Sequence, residues 1–481
     1  MRKQARVLSR GLYYAQSLAK GVTSVRRSPA ILSRRLFLSM AAASLAWPQA
    51  SVDQSELIVR ARRPEDLEMS NSDFNEFITP VDRFFVRTHV DVPNVDLATW
   101  RLKIDGNVST PLDLSMDDLR KMPSFELPAV LECAGNGRSF YEPSVAGLQW
   151  INGAVGNGSW KGVRLRDLLD RAHIKPGSVE SLLDGADVPI GSMPDFQRSI
   201  PLNKAQDPNT ILAYNMNGQM LPVKHGFPLR AVVPGWAGNS WVKWLTNVRV
   251  LTEPANGFWM KNAYLYPSAP VAPGSTPPAD VMKPVTSLRV KTVIASPANG
   301  SAVDVGKPVA LAGAAWSGDA GNVVAVDVSV DRGRTWKPAR LAGSATAFGW
   351  RLWNFTWTPS REGYYTVLAR ARDSRGDVQP SIQEWNPSGY LWNVVSRVDV
   401  GAGINPGMAA VIPPESNITP PQGFRQSCLI CHDEDVIRQQ RLSRAQWDRE
   451  INKMTGWGAR VEPDRREMLL EYLLRVAGPR R

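Results

Sequence analysis

Three cysteines are the side chains best suited to chemistry in this chain of 481 residues. Two of them stand in Cys428-Leu-Ile-Cys431-His432, where two thiols three positions apart are followed by an imidazole. Thiols at this spacing bond to the vinyl groups of a c-type haem, and the adjacent imidazole binds the iron. Half of a zinc site is the alternative, but no second Cys/His pair stands nearby to complete four ligands. The motif therefore predicts one covalently attached haem c.

The third cysteine, Cys133, lies in a Gly/Asn-rich turn that follows the strand-like apolar run 127–131. At this strand end Gly135 and Gly137 permit close backbone approach, and Arg138 adds a fixed positive charge five residues after Cys133. A soft thiolate beside a cation suits a soft or high-valent metal that faces an anionic substrate. A lone cysteine is more often a buried, inert side chain. We nevertheless predict that Cys133 is a metal ligand, because the motifs elsewhere in the chain that are described below support this role.

A c-type haem also needs a sixth ligand. Residues 447–459 resemble the distal-methionine region of small bacterial monohaem cytochromes c, which makes Met454 the candidate iron ligand. Met468 on the last predicted helix is the competitor, but a methionine at helical spacing usually packs in a core. Thioether ligation needs a loop or helix end that can face the haem, and this favours Met454.

The elements that must position these groups divide the chain into about three domains, at roughly 150 residues per domain. Residues 56–275 mix short strands with a few helices, such as the amphipathic segment 165–172, which predicts an α+β catalytic domain. Residues 284–401 alternate in period two between Gly/Asp/Asn turns, as in an immunoglobulin-like β-sandwich. Residues 402–422 are rich in Gly, Pro and Ala and predict a linker. Residues 423–481 hold the haem motif and two amphipathic helices, the first capped by Ser443, which indicates a small all-α cytochrome domain.

Residues 1–50 carry most of the excess positive charge. The whole chain has a formal net charge of +12, and these 50 residues hold nine Lys/Arg and no Asp or Glu. Without them, 48 basic side chains face 45 acidic ones. The basic excess is thus a property of this segment, and we predict no nucleic-acid partner.

The same segment predicts an export signal. Ser33-Arg-Arg-Leu-Phe-Leu38 precedes a short apolar core and Pro48-Gln-Ala50, a pattern typical of twin-arginine signal peptides. An amphipathic anchor is the alternative. The apolar core is shorter than the about 20 residues that a spanning helix needs. We expect the twin-arginine machinery to export a folded, cofactor-loaded protein to the periplasm, with no membrane span in the mature form.

Glu132-Cys-Ala-Gly-Asn136 resembles the molybdenum-cysteine motif of the sulfite oxidase family of molybdopterin enzymes, and further matches follow in the family's order from Phe84 to Gly389. The resemblance implies that Cys133 binds the molybdenum of a molybdopterin cofactor in the first domain. It also implies that the β-sandwich, through residues 328–336 and 385–389, is a dimerisation domain, so a homodimer is possible.

The resemblance implies roles for residues around the substrate. Arg87 maps onto a substrate-binding arginine, Arg138 onto a second anion-binding arginine, and Trp150 lies near the substrate-pocket tryptophan. Tyr264 occupies the place of an active-site tyrosine. Tyr266 stays as its alternative, since strand alternation puts both on one face.

The resemblance also implies cofactor contacts, at His89, Asp187, His225, Arg230 and Lys243. The last three supply the hydrogen-bond donors and cations that a polar fused ring with a phosphate requires. Trp160 lies in another family segment and is expected in the core.

Two positions depart from the family pattern. The family has two adjacent arginines where this chain has Gly137-Arg138, and the animal enzyme has an arginine reaching the pocket about where Ser388 stands. Both departures bear on the choice of substrate.

The function implied by the resemblance is that of a periplasmic sulfite dehydrogenase. Sulfite would be oxidised to sulfate at molybdenum, and electrons would pass through the haem c to a soluble cytochrome c. A sulfane dehydrogenase, or a nitrate or sulfoxide reductase on the same scaffold, is the alternative. A third possibility is an electron-transfer protein with a vestigial molybdenum domain.

Overall fold

The computed structural model describes residues 57–319, 321–404 and 418–479. The predicted export signal, residues 1–50, and most of the predicted linker lie outside the described residues. Within the part that is described, no helix has the length and apolar content that crossing a bilayer demands.

The first domain is built from short strands joined by long loops. Its strands are β1 (Ile58–Arg62), β2 (Glu65–Glu68), β3 (Leu102–Gly106), β4 (Leu112–Leu114), β5 (Phe125–Glu132), β6 (Val155–Arg164), β7 (Glu180–Gly185), β8 (Gln197–Pro201), β9 (Ile211–Met216), β10 (Gln219–Met220), β11 (Arg230–Val232), β12 (Leu245–Leu251) and β13 (Leu265–Pro267). Its helices are α1 (Met116–Arg120), α2 (Leu165–Ala172), α3 (Leu202–Ala205) and α4 (Phe258–Lys261).

Two five-stranded sheets form the frame of this domain. One has the order β10-β9-β6-β5 with β11 also paired to β9, and the other has the order β4-β3-β12-β7-β8. β5 runs antiparallel to β6 until Glu132 pairs with Val155, so Cys133 is the first residue beyond the strand. The predicted helix at 165–172 forms as α2 and buries Leu165, Leu168 and Leu169, the apolar stripe of an amphipathic helix.

The second domain is a two-layer β structure. Its strands are β14 (Met282–Pro284), β15 (Lys291–Ser296), β16 (Ala302–Val303), β17 (Val309–Trp316), β18 (Val323–Ser329), β19 (Lys337–Pro338), β20 (Arg340–Leu341), β21 (Arg351–Trp357), β22 (Gly363–Asp373) and β23 (Ser396–Ala402). The sheets have the orders β15-β17-β21-β20 and β16-β23-β22-β18-β19. Apolar residues of both sheets share one core, with Leu311 and Trp353 from one and Val326 and Val367 from the other, as the period-two alternation predicts.

The C-terminal unit is a small group of helices. They are α5 (Phe424–Cys428), α6 (Glu434–Arg438), α7 (Arg444–Gly456) and α8 (Arg466–Ala477). The predicted N-cap is confirmed, because the Ser443 side chain accepts from the Gln446 amide in a reciprocal capping box. Trp447, Ile451 and Leu473 belong to the buried core of the unit.

Candidate active site

A cavity in the first domain collects side chains from loops far apart in the sequence. Eight of the predicted site residues line it: Arg87, His89, Cys133, Asp187, His225, Arg230, Lys243 and Tyr264. Cys133 and Asp187 lie just after β5 and β7, and Lys243 lies just before β12, where loop backbone can turn a side chain inward. Phe196, Trp241 and Trp244 add aromatic side chains to the cavity lining.

Cys133 sits on a turn that its neighbours hold rigid. Its backbone N–H donates to the Ala154 carbonyl at 2.9 Å, and its carbonyl accepts from the Asn136 N–H at 2.9 Å. The Asn136 amide also donates to Glu132 Oε1 at 2.9 Å and to the Asn152 carbonyl at 3.0 Å. The thiol is therefore presented from a fixed backbone, which is what a metal ligand requires.

The Cys133 thiol is buried between two guanidinium groups that act on its protonation. Burial raises the pKa of the thiol, while Arg87 and Arg138 act to lower it. A metal supplies the positive charge that burial otherwise denies to a thiolate. This environment suits Cys133 as a metal ligand better than as a free nucleophile.

The turn is anchored to the second domain through a buried ion pair. Glu132 Oε1 accepts from Lys291 Nζ at 2.9 Å, and Glu132 Oε2 accepts from Trp316 Nε1 at 2.7 Å. Lys291 and Trp316 are cross-strand neighbours on β15 and β17. The two domains thus share a buried carboxylate one residue before Cys133.

At the other end of the cavity, buried polar groups are positioned to bind a polar ligand. His225 Nε2, Arg230 Nε and Asn239 Oδ1 are buried and have no hydrogen-bond partner among the described residues. Buried polar atoms without partners are rare in folded proteins and point to a bound group. A pterin ring with many ring nitrogens and a phosphate would satisfy them, so the residues fit the cofactor that the sequence implied.

The protonation of this end depends on desolvation. Burial lowers the pKa of Lys243 to about 7 and that of Arg230 to about 9, and it raises the pKa of Asp187 to about 6. Burial also lowers the pKa of His225 to about 3, so this imidazole is neutral. An anionic ligand would restore full charge to Lys243. Arg230 rests 5.0 Å from the ring of Trp160, which is fully buried as expected.

Another part of the cavity lining holds a hydrogen-bonded pair, His89 and Tyr264. His89 Nε2 lies 2.7 Å from the Tyr264 hydroxyl. Burial lowers the pKa of His89 well below its usual range and raises that of Tyr264 well above its own, so both groups are neutral. One proton can be exchanged between them next to the cavity.

The two candidate tyrosines do not share a face. Tyr264 precedes β13 and has φ of +53°, in the left-handed region, so strand alternation does not extend to it. Tyr264 lines the cavity, whereas the Tyr266 ring packs under the guanidinium of Arg289 at 4.5 Å. The expectation of a common face was wrong because the backbone turns over at residue 264.

Arg138 and Trp150 lie behind the cavity wall rather than on it. The Arg138 guanidinium donates to the Leu148 carbonyl at 2.9 Å and to the Ser388 carbonyl at 3.1 Å. Trp150 is fully buried. The structure therefore places Arg138 within electrostatic reach of Cys133 but occupied by backbone acceptors.

The two departures from the family pattern have structural reasons. Gly137 has φ of +94°, and a Cβ there would come within 2.6 Å of the Trp392 side chain. An arginine at 137 would thus require both a strained backbone and a displaced tryptophan. At Ser388 it is the backbone carbonyl that contributes, by accepting from Arg138.

Sequence reasoning missed Arg198 and Tyr390. The Arg198 guanidinium lies 5.4 Å from the Tyr264 ring and donates to the Trp259 carbonyl, and its Nε has no partner among the described residues. The Tyr390 ring stacks on Tyr264 with centroids 5.4 Å apart. No sequence pattern distinguishes Arg198 from the many arginines of solvated strand faces.

The C-terminal motif is folded into the helical unit. Cys428 ends α5, and Cys431 and His432 occupy the turn before α6. His432 Nδ1 donates to the Asp433 carbonyl at 3.0 Å, which leaves Nε2 with the lone pair that iron needs. Met454 is half-buried in α7, and Met468 is 47% exposed on α8. Across the residues that the structure describes, no three His, Cys, Asp or Glu side chains group as a site for a bare metal ion.

Comparison with known proteins gives the class of protein that this fold and cavity define. Residues 89–259 match the family model described as the oxidoreductase molybdopterin binding domain. Residues 282–402 match the one described as the Mo-co oxidoreductase dimerisation domain. The first two domains are thus those of a molybdopterin-binding oxidoreductase. The C-terminal unit lies beyond both matches.

Relatives identify the family. Mitochondrial sulfite oxidase of Rattus norvegicus is 37% identical over 360 residues, which are 72% of this chain and 65% of that protein. Sulfite oxidase of Arabidopsis thaliana is 32% identical over 363 residues, 70% of this chain and 91% of that protein. The crystal structure of the sulfane dehydrogenase SoxCD from Paracoccus pantotrophus matches with a TM-score of 0.61 and 29% identity, over 69% of this chain and 83% of that chain. The chain belongs to the sulfite oxidase family of molybdopterin oxidoreductases, as the motif at 132–136 predicted.

Proposed function

We propose that this protein oxidises sulfite to sulfate and passes the electrons through a C-terminal haem c to a soluble cytochrome c. The observation that carries the proposal is Cys133, held rigidly in a cavity that also contains buried, unpaired polar atoms suited to a molybdopterin. Relatives bearing the name sulfite oxidase share this domain at up to 38% identity. The chain spans 65% of the length of the rat relative, so the activity of the whole protein is our inference.

The bound cofactor supplies oxygen-atom transfer to sulfur and takes up two electrons. The protein's part is to bind, orient and neutralise. Sulfite and water yield sulfate, two protons and two electrons, and the anionic substrate requires cations in a dry site. Arg87 lines the cavity and supplies one. Tyr264 and His89 supply a hydroxyl and an imidazole that can hold a proton beside the substrate oxygens.

Arg198 adds a second cation beside the cavity. It is 1% exposed and has no acidic partner within ion-pair distance among the described residues. A buried guanidinium without an anion is costly, and an anionic substrate would offset that cost. Arg198 thus compensates in part for the second family arginine that Gly137 replaces.

A sulfane dehydrogenase is the second candidate. The structural match to SoxCD and the substituted positions Gly137 and Ser388 favour it, since both positions bear on substrate binding. A nitrate reductase function has weaker support, from the NADH nitrate reductase of Solanum lycopersicum at 32% identity over 38% of that protein. A sulfoxide reductase remains a further alternative on this scaffold.

The haem and the location are also part of the proposal. The thiols of Cys428 and Cys431 precede His432, whose Nε2 is free to bind iron, and Met454 is the proposed sixth ligand. The paired arginines at 34 and 35 support export by the twin-arginine machinery, and hence a periplasmic protein. The dimerisation-domain match supports a homodimer.

Purified protein from a host that makes molybdopterin tests these proposals. We expect stoichiometric molybdenum and haem iron, and sulfite-dependent reduction of cytochrome c. Parallel assays use thiosulfate and protein-bound sulfane sulfur with cytochrome c, and nitrate or a sulfoxide with reduced dye. Activity on sulfane sulfur without activity on sulfite would replace the first proposal by the second. Haem iron without molybdenum would indicate a vestigial first domain.

A further inference from the structure

The C-terminal unit is docked on the first domain through several contacts. The first contact, the glutamine contact, joins Gln439 and Gln440 of the C-terminal unit to the loop at 147–149. The backbone N–H of Gln149 donates to Gln439 Oε1 at 2.8 Å, and Gln440 Nε2 donates to the Gly147 carbonyl at 3.0 Å. Gln440 is 4% exposed, so its side chain is buried in this contact.

Polar contacts next to the haem motif extend this docking. The Asp433 carboxylate accepts from the backbone N–H groups of Arg62 and Arg63 at 2.6 and 3.0 Å. The Asp433 N–H donates back to the Arg63 carbonyl at 2.9 Å. Three hydrogen bonds thus fix the residue directly after His432 to the end of β1 and to the residue that follows it, so the motif has a defined position on the first domain.

The second contact, the tryptophan contact, centres on Trp457. Its carbonyl accepts from the Ser192 N–H at 3.1 Å. Its ring lies 5.7 Å from the Phe258 ring and 6.2 Å from the Trp259 ring, centroid to centroid. Rings at these separations are in packing contact.

Aromatic contact continues from Trp259 to the cavity. The Trp259 ring lies 4.9 Å from the His89 ring and 6.2 Å from the Tyr264 ring. Both of these residues line the cavity together with Cys133. On the other side, the Trp457 N–H donates to the Met454 carbonyl at 3.1 Å. Two tryptophans therefore span the distance from the cavity to the backbone of the proposed iron ligand.

We propose that Trp259 and Trp457 are the bridge through which electrons leave the cavity for the C-terminal unit. The inference rests on the proposed function. Oxidation of one sulfite with one water releases two electrons and two protons, and the electrons leave singly, each reducing one ferric c-type haem to the ferrous state. A soluble ferric cytochrome c reoxidises that haem twice per turnover. The two rings undergo no net oxidation, because they serve as the medium for tunnelling.

Docking makes such a bridge effective. Tunnelling weakens steeply with the gap between packed groups, so a held contact gives a faster transfer than a unit that swings on its linker. Coupling through packed side chains must be demonstrated by perturbing the chain of contacts, and Trp457 can be changed without touching the cavity wall.

The test uses the loaded full-length protein with Trp457→Phe and Trp457→Leu, and Trp336→Leu as a control in the second domain. Trp336 packs under Arg370 at 4.2 Å, away from both contacts. Stopped-flow absorbance follows haem reduction after mixing with sulfite. We expect the rate constant of haem reduction to fall on the order of tenfold in Trp457→Leu and by a smaller factor in Trp457→Phe. Sulfite oxidation by a dye that accepts electrons at the molybdenum site should equal that of the parent.

Docking is measured without turnover, by hydrogen exchange of the Ser192 amide in cofactor-free protein. Protection of this amide in a variant means that the unit is still docked. Unchanged haem reduction in Trp457→Leu overturns the proposal whether or not the amide is protected. Equal loss in the Leu and Phe variants with the Ser192 amide unprotected in both also overturns it, since docking alone would then explain the effect. If the parent oxidises no sulfite with the dye, the proposed function has failed, and the bridge is then tested with the substrate found active.

Discussion

Replacing Lys291 with methionine should strongly destabilise the junction between the first two domains. The Lys291 and Glu132 side chains are 3% and 7% exposed, and their charged atoms lie 2.9 Å apart. Removing one member of a buried ion pair leaves the other charge uncompensated, which costs about 3–5 kcal/mol. Asn136 and Trp316 still donate to Glu132, so we expect the lower end, about 3 kcal/mol. That is a factor of roughly 100 in the unfolding equilibrium constant.

Urea unfolding of the cofactor-free protein measures this loss. Fluorescence and far-ultraviolet circular dichroism should be compared, because a multidomain chain need not unfold in one step. Lys283→Met is the matched control, since Lys283 is exposed on β14 of the same domain and should change the free energy of unfolding by no more than about 0.5 kcal/mol. The double variant Glu132→Gln with Lys291→Met removes both charges and should recover much of the loss.

Two results would refute this reasoning. One is a Lys291→Met protein within about 1 kcal/mol of the parent, a value typical of exposed pairs. The other is a double variant no more stable than Lys291→Met alone. Because Glu132 precedes Cys133, Lys291→Met should also speed alkylation of the Cys133 thiol in cofactor-free protein, which a thiol reagent can report.

Four further predictions concern the cofactor and substrate sites. Cys133→Ser should abolish turnover and leave the haem spectrum intact; retained activity would remove Cys133 as the metal ligand. Met454→Ala should shift the haem potential and absorption bands more than Met468→Ala. The reverse result would make Met468 the sixth iron ligand. Arg198→Met should raise the KM for sulfite while the free energy of unfolding stays equal or rises, because an uncompensated buried charge is lost; lower stability with an unchanged KM would make Arg198 structural only. Burial lowers the pKa of Lys243 from 10.5 to about 7, so between these pH values the unfolded chain binds a proton that the folded chain lacks. The free energy of unfolding of the cofactor-free protein should therefore rise with pH across that window. In Lys243→Met it should rise less.

Much of the architecture could be predicted from the sequence because it rests on local pattern. Period-two alternation predicted the two-sheet second domain, and helical spacing predicted α2 and α7. The motif around Cys133 predicted the family. The other matches to the family predicted site residues, eight of which, counting Cys133, line one cavity in the structure. These features depend on neighbours in the chain or on residue identity at fixed spacing.

Other features could be decided only by the tertiary structure. Whether Arg138 faces the cavity depends on the carbonyls of Leu148 and Ser388, the second of which is 250 residues away. The choice between Tyr264 and Tyr266 depends on a positive φ that no spacing rule predicts. Arg198 gains its importance only because it lies against the Tyr264 ring.

The docking of the C-terminal unit is the clearest case of this division. The sequence determined that a Cys-x-x-Cys-His motif, which we interpret as a haem-attachment site, stands at 428–432 and that a cysteine at a strand end precedes it by almost 300 residues. Nothing local distinguishes Trp457 or Trp259 from ordinary core tryptophans. Their contact forms because two surfaces distant in the chain have complementary shape and hydrogen-bonding groups, and such complementarity exists only once both surfaces have folded.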